Sequence, residues 1–117
     1  MKRSNAPPPV RISVTGSMCE RLEAAVSLLD ASRQRELSSV VAGCRSIVLR
    51  GLVGSTVDVP VYSAATLLAA VEAYALHEQA SRPMTRLVIE CRRAESDARK
   101  VAADWARGDL QQADLLG

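Results

Sequence analysis

At 117 residues with 48% hydrophobic side chains, the chain suits one domain with its own core, and no stretch approaches the roughly 20 apolar residues of a membrane span. A net charge of +2 is milder than that of dedicated nucleic-acid-binding domains, and three widely spaced cysteines, Cys19, Cys44 and Cys91, do not read as a disulfide framework. With no Phe, one Trp and two Tyr, the core must be aliphatic, and its Ala-rich character points to closely packed helices, while the odd number of cysteines fits reduced thiols in a cytoplasmic protein.

Residues 1–9 read as a disordered Pro-rich tail, because Pro7 to Pro9 favour an extended polyproline conformation and exclude a helix. Lys2 and Arg3 are followed by polar residues and prolines, not by the apolar stretch of a secretory signal. From Val10 to Thr15 apolar and polar residues alternate, which predicts a short strand with Val10, Ile12 and Val14 on one face. Ser17 and Glu20 have the spacing of a capping box, opening a helix whose stripe is Met18, Leu22, Ala25, Val26 and Leu29. A second helix, capped by Ser32, carries Leu37, Val40, Val41, Cys44, Ile47 and Val48 and stops at Gly51 and Gly54.

Alternation returns between Val57 and Val61, with Pro60 restricting that strand to an edge, and it supplies an internal partner for the first strand. Ser63 then caps a third helix with Leu67, Val71 and Tyr74 in its stripe, and Pro83 suits the first turn of a fourth. In the fourth helix Met84, Leu87, Cys91, Ala94, Ala98, Val101 and Trp105 follow a regular 3–4 spacing, a heptad seam. Gly108 is the expected stop, with a short frayed turn after it. The expected fold is mainly α: about four helices with one or two short strands near 10–15 and 56–61, in a single helical domain over residues 10–117.

Signatures of catalysis are missing from this pattern, so no enzyme activity, cofactor or metal is expected. His77 is the only histidine, and with Cys19, Cys44 and Cys91 it lacks the paired spacing of a zinc site. Each cysteine lies on or beside an apolar stripe, as a small hydrophobe would. The stretch from Gly51 to Thr56 lacks the Gly-Lys-Ser/Thr ending of a phosphate-binding loop. Function therefore rests on surfaces, and the seam from Met84 to Trp105 is the expected homodimer or partner interface, with Trp105 a candidate hot spot.

Two resemblances sharpen that expectation. The stretch "VRISVTGSMCERLEAAVSLLDASRQRELSSVVAGCRSIV" resembles the ribbon-helix-helix repressors. That likeness implies Arg11, Ser13 and Thr15 facing DNA bases, with Ser32 and Arg33 at a phosphate. In its length and in the helical C-terminal half beginning "VYSAATLLAAVEAYALHEQ", the whole chain resembles the quorum-sensing antiactivators, the QslA-like proteins of pseudomonads. The second likeness implies a helical dimer that binds a LuxR-type transcriptional regulator and blocks its dimerisation and DNA binding. Protein–protein binding is the expected function, and a DNA-binding repressor the alternative.

Overall fold

A computed structural model describes residues 6–116, with side chains described through Gly108. The fold is mainly helical, with five α-helices and two short antiparallel strands among the described residues. β1 (Val10–Val14) pairs with β2 (Ser55–Val59), Val10 opposite Val59 and Ile12 opposite Val57. The alternation has its expected consequence: Val10, Ile12, Val14, Val57 and Val59 are buried on one face, while Arg11, Ser13, Thr56 and Asp58 lie on the other. Pro60, which has no N–H to offer a ladder, ends β2, so Val61 falls in a 3₁₀ turn (Val61–Ser63) and not in the strand.

α1 (Gly16–Ser27) starts earlier than a Ser17–Glu20 capping box implies. Thr15 is the cap: its backbone is still extended as it leaves β1, and its Oγ1 accepts from the Met18 amide at 3.3 Å. The second expected helix is two, α2 (Ala31–Glu36) and α3 (Ser38–Arg50), joined at Leu37. Leu37 leaves helical geometry, with ψ at 10°, and its side chain is fully buried, whereas α2 buries none of its own residues. Asp30, not Ser32, caps α2, its Oδ1 accepting from the Arg33 amide at 2.9 Å. Gly51 closes α3 in the left-handed conformation with φ at 63°, as expected of a C-terminal glycine.

α4 (Ala64–Ala75) follows the 3₁₀ turn directly; the side chain of Ser63 is buried and makes no capping hydrogen bond. α5 (Arg82–Leu116) begins with Ser81 Oγ accepting from the Met84 amide, and Pro83 occupies the first turn as expected. The helix does not stop at Gly108 but continues to Leu116. A glycine inside a helix costs only about 1 kcal/mol relative to Ala, which weakens a turn without ending it. α5 packs against α4, β1 and α1, while α1 rests on α3 and α4 and β2 on α3. The core lies where these elements meet, around Ile12, Leu22, Leu37, Leu67 and Leu87.

Candidate protein-binding surfaces

The heptad seam of α5 divides into two parts. Met84, Leu87, Cys91, Ala94 and Ala98 are all buried in the chain's own core. Their 3–4 spacing keeps one stripe of the helix facing α1, α4 and β1, and the small Ala94 and Ala98 let the helix axes approach closely. Val101 and Trp105 are only partly buried, and Ala102 is the last described residue packed against the core. From 103 to 116 the helix runs on for about 21 Å at 1.5 Å per residue. The molecule is accordingly elongated, 55 Å along one axis against 29 and 26 Å along the others.

A second surface escapes sequence reasoning. The stripe assigned to α3 included Val48, yet Val48 is 42% exposed, and Leu49, Leu52 and Val53 beside it are 86%, 43% and 94% exposed. These four residues surround the Gly51 turn. Next to them an open groove of about 580 Å³ runs between α1, α2 and α3, with Val26, Val41 and Leu49 in its lining. Arg45 stands over it, bonded to Glu23 at 2.7 Å, with Gln34 and Arg50 nearby. The signal available in the sequence is the run "VLRGLV", which carries more apolar residues around a glycine stop than one helical face can bury.

The residues implied by a DNA-binding ribbon are spread over three elements. Arg11 and Ser13 are on the exposed face of β1, with Arg11 Nε 3.2 Å from Asp58 Oδ1 on β2. Thr15 is committed to capping α1. Ser32 and Arg33 are exposed on α2, which packs against α1 and α3, and Arg33 is 3.9 Å from Asp30.

Both edges of β1 are engaged within the chain. One pairs with β2; along the other, the Ser13 amide donates to Glu90 Oε1 at 2.6 Å and Arg93 Nη2 donates to the Arg11 carbonyl at 3.3 Å. Arg93 also bonds Glu90 Oε1 at 2.7 Å. Partial burial pushes the Glu90 carboxyl upward, but the Ser13 amide and the nearby Arg93 and Arg86 outweigh it and hold the group below its ordinary value of 4.5. Sequence spacing alone suggests an Arg86–Glu90 pair; the carboxylate instead turns to β1 and Arg93.

The three cysteines are buried and unbridged. Burial raises all three thiols above their ordinary value of 9.0, Cys91 to about 12, so none is poised as a thiolate. His77 is exposed. Among the described residues no group of three His, Cys, Asp or Glu side chains is placed to hold a metal ion, and no helix is long and apolar enough to cross a membrane. No protein-family model, curated protein or solved structure matches the chain.

Proposed function

We propose that this chain is a small cytoplasmic regulator, homodimeric and without enzymatic activity, that works by binding another protein. Specifically, it acts as an antiactivator that captures a LuxR-type quorum-sensing transcription factor and blocks that factor's dimerisation and DNA binding. The observation that supports the reading best is the continuation of α5 beyond Ala102, the last described residue in contact with the core. A helix that continues past Ala102 and carries the partly buried Val101 and Trp105 on one stripe offers apolar side chains to a groove on another protein. Binding of this kind competes with a receptor's self-association by mass action and needs no cofactor.

The test is complex formation between the purified chain and the ligand-binding domain of a LuxR-type receptor, followed by size-exclusion chromatography and by release of the receptor from operator DNA. Wild type is expected to form the complex and release the DNA. Val101→Asp and Trp105→Ala are expected to weaken capture at least tenfold while keeping the helical circular dichroism. Failure of wild type to bind, together with steeply salt-dependent binding of the chain itself to duplex DNA, would overturn the reading in favour of a repressor. That alternative needs Arg11 to reach bases from a strand whose neighbour supplies Asp58, a like-charged approach to phosphate that weighs against it.

A further inference from the structure

The turn that closes α3 holds apolar side chains away from the core. The Gly51 and Leu52 amides donate back to the carbonyls of Val48 and Ile47, each at 3.2 Å. The backbone beneath Leu49 and Leu52 is therefore already ordered, so docking through it costs little further ordering. Leu49 and Val53 are almost fully exposed, as side chains on a convex tip are and side chains in a cleft are not. A rigid partner must be shaped to such a tip, whereas the boundary between lipid headgroups and acyl chains yields to it and accepts apolar side chains roughly 5–10 Å deep.

Charge around the tip points the same way. From Leu37 to Val57 the sequence contains no Asp or Glu, while Arg45 and Arg50 lie within it. Two open cavities flank the turn, one reaching Leu49 and Arg50, the other Gly54, Arg86 and the exposed Ile89. Each cavity has one carboxylate in its lining, and each of these is bonded to another arginine: Glu23 to Arg45 and Glu90 to Arg93, both at 2.7 Å. Among the described residues Arg50 and Arg86 are exposed and make no hydrogen bond or ion pair. Both flanks of the apolar tip thus carry net positive charge, which complements an anionic lipid surface.

We propose that this tip docks the protein on an anionic membrane surface. Leu49, Leu52 and Val53 enter the headgroup boundary while Arg50 and Arg86 meet lipid phosphates. The contact is peripheral, and it is separate from receptor capture through Val101 and Trp105 of α5.

The test is flotation of the full chain with vesicles of phosphatidylglycerol and phosphatidylcholine in equal parts, compared with phosphatidylcholine alone. Wild type is expected to bind the mixed vesicles, more weakly as salt is added, and neutral vesicles about tenfold more weakly or less still. Leu49→Ser with Val53→Ser, at exposed positions, is expected to keep the urea midpoint and receptor capture but lose about tenfold or more in vesicle affinity. Arg50→Gln and Arg86→Gln are each expected to lose roughly fivefold, on anionic vesicles only. Absence of wild-type binding to the mixed vesicles overturns the proposal. So does a serine variant that floats like wild type, and one that does so while losing receptor capture gives the tip to a protein partner instead. Should the serine variant not fold, the two arginine variants decide: unchanged flotation by both overturns the proposal.

Discussion

Glu90 shows how one side chain can serve two distant parts of the chain. Its carboxylate accepts from Ser13, 77 residues away, and from Arg93, three residues along the same helix. Its folded-state pKa lies below 4.5, so the stability it adds is fully present above that value and is lost as pH falls through the depressed one. Replacing it with alanine should therefore lower the urea midpoint at neutral pH, by about 1 to 2 kcal/mol for hydrogen bonds to a charged group. The gap between Glu90→Ala and wild type should shrink as solutions are taken below pH 4.5. A gap that widens with acid would mean that the carboxylate is not what holds this edge.

At the level of elements, α3 and β2 meet at Gly43, where an added Cβ would stand 3.1 Å from Val57 Cγ1. Helix propensity alone favours Gly43→Ala by about 0.5 to 1 kcal/mol. Val57 is buried, branched at Cβ and fixed in a strand, so it has little room to yield. Gly43→Ala should thus destabilise by about 1 kcal/mol in chemical denaturation, and become neutral or favourable in a Val57→Ala background.

The elements themselves were legible to different degrees. Both strands and the seam from Met84 to Ala98 could be read because alternation and 3–4 spacing record which side faces the core. The break at Leu37 could not, since the apolar stripe starts at Leu37 itself and the polar run from Ser32 to Glu36 before it carries no glycine or proline to mark a helix end. Two good caps, Thr15 and Ser17, stand close together, and the exit of β1, not local preference, selects the first. The covering of β1 by Glu90 and Arg93 was invisible because a contact between charged groups and a remote main chain leaves no periodic trace. Likewise, spacing alone could not separate the seam positions that close the core, Met84 to Ala98, from the partly buried Val101 and Trp105, because intramolecular and intermolecular helix contacts use the same spacing.

For the molecule as a whole, α5 sets the dimensions. The Cα radius of gyration is 15.9 Å, against about 13 Å for a compact domain of this length. A chain ending at Arg107 should scatter X-rays with a smaller radius, closer to the compact value. It should also keep its urea midpoint to within about 0.5 kcal/mol, since the last described core contact is at Ala102. A large drop in the midpoint would show that the end of α5 supports the body of the protein.

The position of β1 also bears on how the chain is made. Its ladder partner is separated from it by some forty residues of helix, and its outer edge waits for α5. During synthesis the strand therefore leaves the ribosome long before either neighbour exists, and the helices α1 and α3 can assemble while "VRISV" is still unpaired. Such distant pairings fold late and leave a sticky segment open in the meantime. The growing polypeptide is thus most prone to clumping in the interval before Ser55 to Val59 emerge, and completion of α5 ends that vulnerability.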